Sequence, residues 1–169
     1  MNTTLEQIKS HSPCESSWKK LLKGLNKTKA DAEPLTFRCI YNILDEDDLL
    51  WSTRVLDKRT RVHVGALFAD TVSHLTTDKR VHDCIATCFK YSRGKATDDE
   101  LKNAAVAAYV TTYAYDAAAA DAADVAIAAT YAAATYTYGA TTANDTYGAD
   151  RKEHKEKLAR IFLTYIEGV

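Results

Sequence analysis

One segment constrains this chain more than any other. Between Ala104 and Ala149 lie 46 residues, of which 20 are Ala, 8 are Thr and 7 are Tyr, with no Lys or Arg and four acids, Asp116, Asp121, Asp124 and Asp145. Alanine has the best intrinsic helix propensity, and its short side chain lets helix backbones approach closely. It also buries little area, so an alanine-rich helix gains stability only with near neighbours on several sides. A straight helix of that length would run about 69 Å at 1.5 Å per residue, against about 40 Å across for a compact domain of this size. The segment is therefore expected to fold back on itself, with Gly139 and the stretch 143–146 as break points. The uncharged run 125–144 approaches a membrane-spanning length. Its Ala, Thr and Tyr residues give little transfer energy per position, so no membrane association is expected.

The rest of the chain reads as ordinary amphipathic helices. Trp18, Leu21, Leu22 and Leu25 fall at helical spacing, as do Phe37, Ile40, Tyr41 and Leu44. Further stripes run through Val64, Leu67, Phe68, Val72 and Leu75, through Val81, Cys84, Ile85 and Cys88, and through Leu158, Ile161, Phe162 and Tyr165. Nothing alternates with period two between turn dipeptides, so strands are not expected. Capping pairs are expected at Thr4 with Gln7, Ser12 with Glu15, Thr97 with Glu100 and Asp150 with Glu153. Pro13 and Pro34 suit a first helical turn, and Gly24 and Gly94 suit a left-handed position after a helix. The predicted fold is all-α. It is a compact multi-helix bundle in one domain, in which residues 1–103 form a basic helical portion, residues 104–149 the Ala/Thr/Tyr-rich helical portion and residues 150–169 an amphipathic helix.

Charge and cysteine usage narrow the class. The whole chain has 22 basic and 23 acidic residues, a balance that argues against a binder of nucleic-acid polymer. Since four acids lie in the alanine-rich segment, the remainder has 22 basic and 19 acidic residues, and complementary charge is expected to help the two portions dock. Cys14, Cys39, Cys84 and Cys88 are expected as reduced thiols, and the polar opening residues lack the apolar region of a signal peptide, so a cytosolic location is expected.

No catalytic signature or metal motif appears. Arg59, His63, Asp70 and His74 lie along one helical face and read as either a ligand stripe or a solvated face. Asp45, Glu46, Asp47 and Asp48 read as the charged start of a helix. Asp121 and Asp124 resemble one half of the paired acidic motifs of helical pyrophosphatases, with the other half missing. The region 54–93 is rich in Lys and Arg and offers a surface for phosphates or an acidic partner. The tyrosines of the alanine-rich segment read as large knobs filling gaps beside small holes, or as rings lining a groove.

A family resemblance adds to this. Ser12-Pro13-Cys14, Trp18 with Leu21-Leu22, Lys27-Thr28-Lys29-Ala30-Asp31, Glu33-Pro34-Leu35 and Ile43-Leu44-Asp45 open the pattern. Leu50-Trp51 with Arg54, Ala66-Leu67-Phe68-Ala69-Asp70 and Gly94-Lys95-Ala96-Thr97 continue it, followed by the alanine-rich tail. From about Ser12 to Ala149 the chain resembles the fifth family of bacterial immunity proteins, predicted partners of polymorphic toxins. The resemblance implies a non-enzymatic cytosolic protein that neutralises a toxin, or in a phage setting a host defence component, by occupying it. It transfers no catalytic residues, and no cofactor or metal is expected. The alternative is a sponge for a nucleotide immune signal. There arginines would hold phosphates and tyrosines would stack the base, with Arg54, Arg59, Arg61, Tyr109, Tyr113, Tyr131 and Tyr138 as the binding residues. An enzyme reading would put His63 and Asp121 forward. Homo-oligomerisation is left open.

Overall fold

A computed structural model describes residues 1–71, 73–75, 77–109 and 147–168. The fold class is all-α. The helices are α1 (Leu5–Ser10), α2 (Glu15–Gly24), α3 (Phe37–Ile43), α4 (Glu46–Trp51), α5 (Lys58–Asp70), α6 (Lys79–Ser92), α7 (Asp98–Tyr109) and α8 (Tyr147–Glu167), with single 3-10 turns at Ser52–Val55 and Ser73–Leu75. The chain divides into two compact units, residues 1–56 with 149–169, and residues 57–148. The expected fold-back of the alanine-rich segment at Gly139 and 143–146 lies outside the described residues, as do Asp121 and Asp124.

The first unit is assembled from both ends of the sequence. α8 presents Leu158, Ala159, Phe162, Leu163 and Ile166 as its buried face. Tyr165, expected in that stripe, is exposed instead. Phe162 meets Phe37 of α3 edge to face at 5.1 Å, a geometry that suits the ring quadrupoles. Polar contacts register the same helix. Arg38 donates to both carboxylate oxygens of Glu167 at 2.9 and 2.7 Å, Lys155 to Asp47 at 2.6 Å, and the Met1 ammonium to the Ile166 carbonyl at 3.0 Å. Contrary to the expectation of no strands, β1 (Asn2–Thr3) pairs antiparallel with β2 (Leu35–Thr36). Two residues are too few to show a period-two pattern. The link between α2 and β2 is clasped by Lys27, which donates to Asp31 and Glu33 at 2.5 and 2.6 Å. These hydrogen bonds hold the Asp31 carboxyl below its ordinary range and raise the Lys27 ammonium.

Several local expectations hold and several shift. The Thr4 hydroxyl caps α1 by accepting from Gln7 N at 3.1 Å. Asp45 caps α4 by accepting from Asp48 N at 3.1 Å, with Glu46, Asp47 and Asp48 in the first turn. α2 starts after Cys14, which makes no side-chain cap, while Ser12 has φ 55° and closes α1. Pro13 therefore precedes the N-cap, and Pro34 precedes a strand. α8 begins at Tyr147, placing Asp150 inside the helix. Gly24 is the last residue of α2, and the left-handed position falls two residues later at Asn26, φ 54°. What Gly24 supplies is room: a Cβ there would lie 2.5 Å from Ile43 Cγ2.

The second unit is built on α5, α6 and α7. Its core joins Val62 and Ala66 of α5, Cys84, Cys88 and Tyr91 of α6, and Leu101, Ala105 and Ala108 of α7. α5 is buried on more of its circumference than the expected stripe, with Val62, Gly65, Ala66 and Ala69 inside as well as Val64 and Phe68. Small residues at 65, 66 and 69 lack the apolar weight that marks a stripe, yet they allow close packing. Ala105 and Ala108 belong to the start of the alanine-rich segment and are buried in this core; how the segment's own tyrosines pack lies outside the described residues. The large ring among these short side chains is Tyr91, which precedes that segment.

Candidate functional site

The end of the second unit where α5 begins, α6 ends and α7 begins collects cations around two aromatic rings. Three terminal signals fix it. Asp57 caps α5, its Oδ1 accepting from Arg59 N and Thr60 N at 3.0 and 3.1 Å. α6 closes in a Schellman arrangement: Gly94 N donates to Tyr91 O at 2.9 Å, Lys95 N to Lys90 O at 2.8 Å, and Gly94 takes φ +71°. α7 opens with a full capping box, Thr97 N donating to Glu100 Oε2 at 2.7 Å and Glu100 N to Thr97 Oγ1 at 3.2 Å. Gly94 and the Thr97–Glu100 pair thus behave as the sequence predicts.

Tyr91 is the hub. Its side chain is buried, with 4% exposure, and its hydroxyl donates to Asp98 Oδ1 at 3.0 Å. Lys58 donates to the same oxygen. The Lys58 hydrogen bond, then that of Tyr91, holds the Asp98 carboxyl below its ordinary range, while burial, then the bond to Asp98, raises the Tyr91 phenol. The Arg59 guanidinium stands over the Tyr91 ring at 5.4 Å, and the Lys58 ammonium lies 5.8 Å from it. A Cβ at position 94 would come within 2.9 Å of Arg59 Nη1, so glycine there both allows the left-handed turn and leaves space for the guanidinium. Arg93 stands over the half-buried Phe89 ring at 5.9 Å. His63 meets Phe89 edge-on at 5.3 Å and shares a 2.8 Å hydrogen bond with Ser92 Oγ. Burial, aided by nearby Arg93, lowers the His63 imidazole below its ordinary value.

The arrangement supports recognition of negative charge. Cations over aromatic faces are held in place and keep their outward N–H groups available. Elsewhere the basic run neutralises itself locally: Arg80 forms a fork with Asp78 at 3.1 and 2.8 Å, and Lys79 pairs with Asp83 at 2.6 Å. The charge of Arg59 acts on the Asp98 carboxylate, to which Lys58 and Tyr91 donate.

The residues proposed from sequence are distributed unevenly. Arg59 is in this cluster and exposed; Arg61 is half-buried on the same helix. Arg54 belongs to the first unit, where it stands over Trp51 at 5.6 Å. Tyr109 ends α7, but its side chain is outside the description, and Tyr113, Tyr131 and Tyr138 lie outside the described residues. The stripe Arg59, His63, Asp70, His74 does not persist as one face, because α5 ends at Asp70 and His74 sits in a separate 3-10 turn. Sequence reasoning placed Lys58 and Arg93 in the basic region 54–93 but missed Phe89, Tyr91 and Asp98. The available signal was Gly94: a left-handed turn three residues after an aromatic and three before a capping box brings those helix ends together.

Two further features bear on chemistry. The first unit has an apolar cleft lined by residues including Ile8, Pro13, Trp18, Leu21, Leu44 and Trp51, with about 20 Å³ of free space, room for a single water and far below the size of a ligand pocket. All four cysteines are free thiols, Cys14 exposed, Cys39 half-buried, Cys84 and Cys88 buried. The Ser16 hydroxyl at 2.9 Å, then the amide of Ser17, lowers the Cys14 thiol to about 7. Among the described residues no group of three His, Cys, Asp or Glu side chains is placed to hold a metal ion, and no helix is long and apolar enough to cross a membrane. No family model, no curated protein and no solved structure matches the chain.

Proposed function

We propose that the chain is a non-enzymatic cytosolic binding protein that neutralises a protein toxin or a host defence protein by occupying it, as an immunity protein or a phage anti-defence factor. The observation that carries this reading is the pair of exposed guanidiniums, Arg59 over Tyr91 and Arg93 over Phe89, at one end of the core shared by α5, α6 and α7. Arginine and aromatic residues dominate the energetics of protein interfaces, and side chains already held in place lose less entropy on binding. The resemblance to bacterial immunity proteins points the same way.

The alternative, a sponge for a nucleotide signal, draws on the same cations. Against it, the Tyr91 face is covered by Arg59 and Lys58 and the ring is buried, so this tyrosine has no free face for a base. The deciding experiment is purification of the full chain from its native host, with bound proteins and released small molecules identified together. A protein recovered in fixed ratio, whose toxic or defence activity is suppressed by adding the chain, is expected. A nucleotide released on denaturation with no protein partner would replace this reading with the sponge. Magnesium-dependent turnover of nucleotides, lost in His63→Ala, would replace it with an enzyme.

A further inference from the structure

We infer that His63 and Arg93 form a proton-operated device at the α5–α6 contact: Ser92 holds His63 as its Nδ1–H tautomer, and a proton taken up from solvent at Nε2 drives Arg93 off the Phe89 ring. This holds whether or not the chain binds a protein partner. The Ser92 hydroxyl decides the tautomer. Its oxygen lies 2.8 Å from His63 Nδ1 and 3.0 Å from the Phe89 carbonyl. A carbonyl only accepts, and a hydroxyl has one proton. Phe89 O is among the last carbonyls of α6, which lack an amide partner within the helix, and the Arg93 amide that would reach it donates to Lys90 O at 3.2 Å instead. The Ser92 proton therefore goes to Phe89 O, and His63 Nδ1–H donates to Ser92. The reverse bond would set the Ser92 and Phe89 oxygens lone pair against lone pair at 3.0 Å. With Nδ1 holding its proton, Nε2 is the nitrogen that titrates.

Charge and position make Arg93 the member that moves. His63 is half-buried, and an imidazolium keeps its Nδ1–H bond to Ser92, so protonation leaves the ring anchored. Phe89 is already shared, with Arg93 over it at 5.9 Å and His63 edge-on at 5.3 Å. A charged imidazole there sets two cations against one ring quadrupole. Burial, then Arg93, disfavours that charge. Arg93 is exposed and can swing into solvent, where the repulsion is screened. Of the other charged groups at this end, Arg59 on α5 and Lys90 on α6 are cations too. On α7, Asp98 is engaged by Lys58 and Tyr91, Glu100 by Thr97, and Asp99 is exposed.

The test follows the full chain by nuclear magnetic resonance from about pH 8 to about pH 5, across the ordinary histidine value of about 6.5. At the upper end the His63 nitrogen shifts are expected to show a protonated Nδ1 and an unprotonated Nε2, and Ser92→Ala is expected to let the Nε2–H form appear. As the pH falls, the Arg93 side-chain signals, displaced at first by the Phe89 ring current, are expected to move to the positions of a solvated arginine with the same midpoint as His63. In His63→Gln they are expected to stay still. The reciprocal variant, Arg93→Gln at the surface, is expected to raise the proton affinity of His63 about two- to fivefold, the range for exposed charge pairs, and it reads the coupling even if His63→Gln folds poorly. Circular dichroism checks the fold of each variant. An Nε2–H tautomer at the upper end, Arg93 signals that stay still while His63 titrates or move in His63→Gln, or an unchanged His63 midpoint in Arg93→Gln would each overturn the inference. So would unfolding of the chain before His63 titrates, because the device has to work within the folded state.

Discussion

Gly24→Ala sets two well-measured effects against each other in one substitution. In most helices the change stabilises, because glycine costs about 1 kcal/mol relative to alanine in a helix interior, and less at the last helical residue, where Gly24 sits. Here the added methyl would lie 2.5 Å from Ile43 Cγ2, 3.0 Å from Cγ1 and 3.1 Å from Cδ1. Three contacts to one branched side chain leave no flexible tip to move aside, and overpacking of this kind costs about 1–3 kcal/mol. The clash therefore wins, and a net loss of about 1–2 kcal/mol is expected. Ile43→Ala alone is expected to destabilise as a partly buried truncation. In the double variant the methyl enters the space that Ile43 vacates, so the two losses do not add, and a coupling of about 1 kcal/mol or more is expected. Urea unfolding of the four proteins measures it. Stabilisation by Gly24→Ala with Ile43 intact, or simple additivity, would refute the reasoning and restore the reading of Gly24 as a mere helix terminator.

Phe162→Ala removes a fully buried ring and its edge-to-face contact with Phe37; a loss of about 3–5 kcal/mol in denaturant unfolding is expected. Thr97→Ala deletes one half of the α7 capping box and is expected to cost about 1 kcal/mol by the same measurement. His63 and His154 both have pKa values lowered by burial. The unfolded chain therefore binds these protons more readily, so stability should fall as pH drops from 7 through the ordinary histidine value of about 6.5; His63→Gln should flatten that fall, and an unchanged profile would remove His63 as a contributor. Cys14 should react with iodoacetamide faster than Cys39 near pH 7, with Ser16→Ala slowing it and Cys84 and Cys88 protected until unfolding, all readable by mass spectrometry.

What could be read from the sequence depended on how far apart the cooperating residues are. Helix caps act over three residues, so Thr4, Asp45 and Thr97 were legible. Apolar stripes act over one helix, so the inner faces of α3 and α6 were legible through Phe37, Ile40, Cys84 and Cys88. α5 was harder, because Gly65, Ala66 and Ala69 are buried by the closeness of neighbours rather than by their own hydrophobicity. The candidate site needed Lys58, Tyr91 and Asp98 to meet across gaps of 33 and 7 residues, and no local pattern encodes such a meeting. Tyrosine is concentrated in the alanine-rich segment, which made that segment the natural place to expect binding rings; those rings lie outside the described side chains, and the tyrosine at the candidate site is Tyr91 on a conventional helix.

The interleaving of the two units has a temporal consequence. Residues 1–56 and α8 share a core, yet the entire second unit is encoded between them. On a ribosome moving at about 5–20 residues per second, Phe37 waits roughly 6–25 s for Phe162 to be made. During that delay α5, α6 and α7 have all emerged, and with them the described residues of their shared core. The nascent chain is thus expected to acquire its middle first, while its beginning stays open and exposed to chaperones until translation nears its end.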